Sequence, residues 1–158
     1  MSIESVKQYL KKYNKDKDVL EFDVSSATVD LAAEALSIEP ARIAKTISFK
    51  SKEDGCILLV TAGDTKINNS KFKAEFGLKA KMLSADEVLE YTGHPVGGVC
   101  PFDNPEKAKV FTDISMKRFE TLYPACGSSN SAIKLTCNEI FEYSNSIKWV
   151  DVCNGWEA

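Results

Sequence analysis

The chain has 158 residues, 44% of them hydrophobic, and a formal net charge of −3. That length supports one core of useful size, so a single domain over residues 1–158 is expected. The acid excess argues against a protein that coats nucleic acid by charge alone, and no apolar run approaches the ~20 residues a membrane helix needs.

Residues 1–13 lack a signal-peptide core, so a cytoplasmic protein with neither a membrane nor a DNA partner is expected. Within residues 2–13, Ile3, Val6, Tyr9, Leu10 and Tyr13 recur at helical spacing and predict a helix. Residues 19–24 predict a short strand. Residues 28–36 predict an amphipathic helix, with Asp30 early and Leu31, Ala32, Ala35 and Leu36 on its apolar side. Pro40 opens a helical turn, and 44–50 reads as a strand. A charged turn over 52–55 leads to 56–62, an apolar strand of the kind found at a sheet's centre.

Residues 69–76 predict a helix closed by Gly77, and 80–83 a short strand. Ser84 and Glu87 form a capping pattern for a helix that ends at Gly93. A strand over 108–113 and a short helix over 115–122 follow. Residues 123–125 and 132–136 bracket a polar loop, Cys126-Gly127-Ser128-Ser129-Asn130-Ser131. A helical turn over 138–143 and a strand over 148–152 complete the chain. Helices and strands alternate irregularly about a central hairpin. This predicts an α+β (mixed α/β) class with a curved, largely antiparallel mixed β-sheet or partial barrel and flanking helices.

Three features carry chemistry. The stretch Gly93-His94-Pro95-Val96-Gly97-Gly98-Val99-Cys100-Pro101-Phe102 holds the only histidine. Its prolines lack N–H groups and its glycines permit unusual backbone angles, giving a rigid loop that either offers free N–H donors to an anion or oxyanion or serves packing alone. Lys45 shares a strand face with Ile47 and Phe49; an ammonium on an apolar face either needs a carboxylate, a carbonyl ring or an anionic ligand, or, at the strand's start, snorkels to water. The hydroxyl-rich loop 126–131 either contacts a substrate or is a plain turn. Asp113 either pairs with Lys45 or caps the helix after it.

No phosphate-loop, dinucleotide, zinc-protease or serine-hydrolase motif is present. The five cysteines are scattered with no C-x-x-C pair, so no metal site, disulfide framework or cofactor is expected. His94 sits in a proline-locked loop and reads as packing rather than as a general base.

Arg42-Ile43-Ala44-Lys45-Thr46-Ile47, the strand ending Thr61-Ala62-Gly63-Asp64, the Gly/Pro block and Ala125-Cys126-Gly127-Ser128 running to Ile133-Lys134-Leu135 together resemble the YbaK/EbsC/ProX family. That family includes free-standing trans-editing deacylases and the editing insertion of bacterial prolyl-tRNA synthetases. The likeness covers nearly the whole chain. It implies hydrolysis of the ester joining a wrong amino acid to the terminal adenosine of tRNA, with the tRNA's own ribose hydroxyl assisting the water. It implies catalytic roles for Lys45, Gly97 and Gly98. Substrate binding falls to Thr46, Pro95, Val96, Val99, Gly127, Ser128, Ser129, Asn130 and Ser131. The implied partner is the 3′ end of aminoacyl-tRNA, with a synthetase or elongation factor as a further partner. Ser128-Ser129 stands where the Cys-directed branch carries arginine, the late loop has no histidine, and Thr46 replaces the asparagine of the Ala-directed branch. Cys or Ala on proline tRNA, and Ser- or Thr-tRNA, therefore stay open as substrates. The alternative reading is a non-catalytic module that binds aminoacyl-tRNA or a synthetase.

Overall fold

The computed structural model describes residues 2–156. A six-stranded sheet organises it. Its strands, in spatial order, are β8 (Leu135–Thr136), β6 (Thr121–Pro124), β2 (Ile43–Lys50), β3 (Cys56–Ala62), β5 (Ala108–Asp113) and β9 (Trp149–Val150). Two small pairs flank it: β1 (Leu20–Glu21) with β7 (Ser131–Ala132), and β4 (Lys66–Ile67) with β10 (Cys153–Asn154). Five helices surround the strands: α1 (Ser2–Leu10), α2 (Val29–Leu36), α3 (Asn69–Phe76), α4 (Ala85–Thr92) and α5 (Cys137–Tyr143).

All seven residues of β3 are buried, as its apolar run requires. It pairs antiparallel with β2, in register from Ala44↔Ala62 to Lys50↔Cys56, and parallel with β5. A parallel neighbour needs a crossover, and the chain makes it through α3 and α4. The mixed α+β class is therefore as expected. Within the large sheet, antiparallel pairing is confined to β2–β3 and β6–β8, while β2–β6, β3–β5 and β5–β9 run parallel.

Each face of the sheet has its own core. One packs Leu58, Val60 and Val110 against Val6 and Leu10 of α1 and against Phe102, Ile133 and Ile140. The other packs Phe49, Ile57 and Leu59 against Phe72 of α3. A small third cluster seats Ala32 and Ala33 of α2 on Ile43.

Local signals place most helix ends. Gly77 closes α3 in a left-handed conformation, and Ser84 with Glu87 forms a full capping box on α4. Several boundaries differ from expectation. The strand over 19–24 shrinks to two residues, Leu20 and Glu21, which pair in register with β7. The stretch 115–122 is a 3-10 turn, Ile114–Arg118, followed by β6, whose residues are drawn into the sheet by β2 and β8. The last strand, 148–152, shortens to β9; past its end the Val152 N–H donates to Asp113 at 2.9 Å, and β10 pairs with β4 outside the expected range. Residues 80–83 form only a bridge, Phe49↔Met82. Leu31 of α2 is exposed, and Ala33 takes the buried position beside Ala32.

Candidate functional site

The site begins at a gap in the sheet. β6 pairs with β2 only at Ile43 and Ala44. Beyond it, the Leu83 N–H donates to the Ser48 carbonyl at 3.3 Å, and the Lys50 N–H donates to the Lys81 carbonyl at 2.8 Å. Between these closures the edge of β2 from Lys45 to Ile47 has no neighbouring strand. Backbone groups alternate along a strand. Since Ser48 and Lys50 turn theirs to this edge, Thr46 presents both its N–H and its C=O there.

A cavity of about 370 Å³ lies on this open edge. It is walled by β2 from Ile43 to Ser48, by Ser26 to Val29 and Ala32 at the start of α2, by Met82, Leu83 and Val88, by Val96, Gly97 and Val99, and by Tyr123, Ala125, Ser131 and Ala132. The lining is mostly apolar, with a few convergent polar groups, the usual make-up of a small-molecule pocket. Thr46 contributes one of them: its Oγ1 is buried and has no hydrogen-bond partner.

Lys45 reaches away from the edge, on the face it shares with Thr61 and Leu59 through the β2–β3 register. Its Nζ donates to the Thr65 carbonyl oxygen at 2.6 Å. The expected ring of carbonyls is reduced to this single one. Burial pushes the Lys45 pKa down, and the nearby Cys153 and Asp64 oppose that shift. Asp64 is held mainly by Arg118, in a fork of 2.6 and 2.9 Å, and that hydrogen bonding keeps its carboxyl below the usual range. Asp113 is fully buried but does not pair with Lys45. It accepts from the Ser115 N–H at 3.0 Å, as a cap, and from Val152.

The two loops meet. An added Cβ on Gly98 would lie 3.0 Å from the Gly127 carbonyl oxygen and 3.2 Å from the Ser128 Cα, so only glycine seats comfortably there. Gly97, with φ +91°, faces the cavity beside Val96 and Val99. The expectation of free N–H donors needs a correction at one position. The Gly98 N–H donates to the Pro95 carbonyl at 2.9 Å and is spent on the loop's own turn.

The late loop is likewise engaged with protein. Ser128 Oγ lies 2.7 Å from Ser131 Oγ and 3.0 Å from Asn130 Oδ1. Asn130 Nδ2 donates to the Phe22 carbonyl at 2.9 Å, and the Ser26 N–H donates to the Ser129 carbonyl at 2.6 Å. These bonds hold residues 22–26 in place, and Ser26, Ala27 and Thr28 then form one cavity wall. Of the sequence-derived residues, Lys45, Thr46, Val96, Gly97, Val99 and Ser131 line the cavity. Pro95, Gly98, Gly127, Ser128, Ser129 and Asn130 do not line it. Sequence reading missed the walls from 26–29 and Met82–Leu83, because tertiary contacts alone bring them there.

His94 is buried inside its loop. Its Nε2 lies 3.0 Å from the Phe102 carbonyl and 3.6 Å from Cys100 Sγ, and Nδ1 is buried without a partner. Burial pushes the Cys100 thiol up to about 12, so no reactive thiolate arises there. Among the described residues, no cluster of three His, Cys, Asp or Glu side chains could hold a metal ion, and no helix is long and apolar enough to cross a membrane.

This arrangement has a family. Residues 24–143 match the aminoacyl-tRNA editing domain, and the chain belongs to that family, in its YbaK-type form. Among its relatives, YwhH of Bacillus subtilis (strain 168), described as an uncharacterized protein, is 52% identical over 157 residues, covering 99% of this chain and all of that one. The proline–tRNA ligase of Kosmotoga olearia is 33% identical over 91 residues, which is 57% of this chain but only 16% of the ligase. A solved structure described as a trans-editing enzyme for prolyl tRNA synthetase superposes with a TM-score of 0.86 at 22% identity, covering 98% of each chain. That likeness is one of fold.

Proposed function

We propose that this chain hydrolyses, in trans, the ester of a mischarged tRNA. Proline tRNA carrying Cys or Ala is the leading substrate, and Ser- or Thr-tRNA is the next. The observation that carries the reading is the open β2 edge, where an anchored lysine and the Gly97 loop flank one small cavity.

Ester hydrolysis needs a placed water and donors for the oxyanion that develops at the carbonyl. The Gly97 and Val99 N–H groups are the donors assigned here, because Gly98 has already given its own to Pro95. Gly98 acts by holding the loop against Gly127. Lys45 is assigned to the terminal phosphate or the ester oxygen. An ammonium carries three donors, and Thr65 takes one of them. The Thr46 hydroxyl and edge amide are assigned to the substrate's polar atoms. No protein nucleophile is used; positioning and exclusion of wrong substrates supply the rate. The setting is the cytoplasm, with a synthetase or elongation factor as a further partner.

The test charges proline tRNA separately with Cys, Ala, Ser, Thr and Pro, and seryl and threonyl tRNAs with their own amino acids. Multiple turnovers on one mischarged species, sparing Pro-tRNA, are expected. Tight binding without release from any of them would instead favour a non-catalytic binding module.

A further inference from the structure

The net charge of −3 conceals a sharp segregation. Residues 66–81 carry five lysines against Glu75, a net of +4, which leaves −7 on the rest of the chain. Ion pairing divides these lysines. Lys71 pairs with Asp151 at 3.0 Å, and Glu75 is itself taken by Lys148 at 2.6 Å. Lys66, Lys73, Lys79 and Lys81 are exposed and make no ion pair among the described residues. Lys52 joins them, since its ammonium lies beside Gly77 at the end of α3.

Both ends of this segment adjoin the cavity. Lys66 follows Thr65, whose carbonyl holds Lys45. Lys81 precedes Met82, which lines the cavity, and the Lys81 carbonyl is fastened to the β2 edge by the Lys50 N–H. Between them, Phe72 seats α3 on Phe49, on the sheet face that Lys45 shares. The cations therefore lie on the segment that runs from the Thr65 anchor of Lys45 to the cavity wall at Met82. The fold does not require them, because α3 is held by its apolar side. Unpaired like charges repel one another, and such a cluster favours a polyanion.

We propose that Lys66, Lys73, Lys79 and Lys81 form a track for the phosphate backbone of a helical RNA whose 3′ end enters the cavity. The identity of that RNA rests on the editing reading; the charge segregation does not. The track answers how an acidic protein holds a polyanion, through local rather than total charge.

The test measures binding of uncharged tRNA by fluorescence anisotropy over a range of potassium chloride. It compares wild type, a Lys73→Gln/Lys79→Gln/Lys81→Gln variant, and a control with Lys11→Gln/Lys17→Gln/Lys134→Gln, which carries the same change of total charge at other exposed sites. The track variant should lose about tenfold in affinity, and its salt slope should fall by about 3. The control should keep both. The track variant should also raise KM for aminoacyl-tRNA while sparing kcat. Equal losses in both variants, or an unchanged slope in the track variant, overturn the proposal. RNA binding that depends on the track but comes with no deacylation would overturn the editing chemistry and leave the track standing.

Discussion

The Lys45 ammonium donates to the Thr65 carbonyl oxygen at 2.6 Å, three residues beyond the end of the strand that pairs with its own. A carbonyl partner fixes the side chain without neutralising it. The nearest acid, Asp64, is committed to Arg118. Lys45 thus has N–H donors beyond the one given to Thr65 at the edge of a mostly apolar cavity, and burial pushes its pKa below the ordinary lysine value of 10.5. Between that lowered value and 10.5 the unfolded chain holds a proton that the folded one has released, so stability rises with pH across this window.

Thr46 gives a prediction in which stability and activity move apart. Its buried Oγ1 has no hydrogen-bond partner among the described residues. Thr46→Val removes an unsatisfied hydroxyl and should stabilise the fold by about 1 kcal/mol. If a substrate atom normally meets that hydroxyl, kcat/KM should fall about tenfold. Thermal unfolding and deacylation kinetics check both. A destabilised protein with full activity would count against this role.

Gly98→Ala should be more damaging than Gly97→Ala in packing. At Gly98 the new methyl meets the Gly127 backbone at 3.0 Å, which cannot yield as a side chain does; at Gly97 its nearest neighbour is the Ala27 Cβ at 3.5 Å. Overpacking of this kind costs about 1–3 kcal/mol and should push the two loops apart. Gly97→Ala carries instead the strain of a side chain at φ +91°. Amide exchange at Ser26, whose N–H is held by Ser129, should speed up in Gly98→Ala and stay near wild type in Gly97→Ala.

His94 provides a clean pH signature, because it is the only histidine. Burial lowers its pKa from the ordinary 6.5, with the Phe102 hydrogen bond opposing the shift. The unfolded chain therefore takes up the proton first as pH falls. Stability should be full above 6.5 and decline below it, until the folded protein also protonates. His94→Gln should flatten this dependence in thermal melts between pH 5 and 8, the range in which an ordinary histidine titrates. An unchanged slope would remove His94 as its source.

What the sequence made legible was whatever has local causes. Gly77 and the Ser84–Glu87 box mark helix ends through their own backbone chemistry, and both stand where expected. The same logic applied to a second box, Thr136 with Glu139, which opens α5 and which sequence reading passed over. Lys45 was legible because it breaks the alternation of its own strand. The shortening of the 19–24 strand was not, since its length depends on β7, more than a hundred residues away. The cavity wall from Ser26 to Val29 was equally invisible, because Ser129 and Asn130 put it there. The polar loop that read as either a contact surface or a turn is mainly the brace for that wall.

If Lys45 and the Gly97 loop carry ester hydrolysis, removing the lysine abolishes turnover. Wild type and Lys45→Ala would be compared on alanyl- and cysteinyl-proline tRNA, with protein well below substrate and circular dichroism confirming the fold. Many turnovers by the wild type are expected on at least one of the two, with a loss of two orders of magnitude or more in the variant, on the order of one lost electrostatic contact to the transition state. Equal turnover by the two proteins would contradict it.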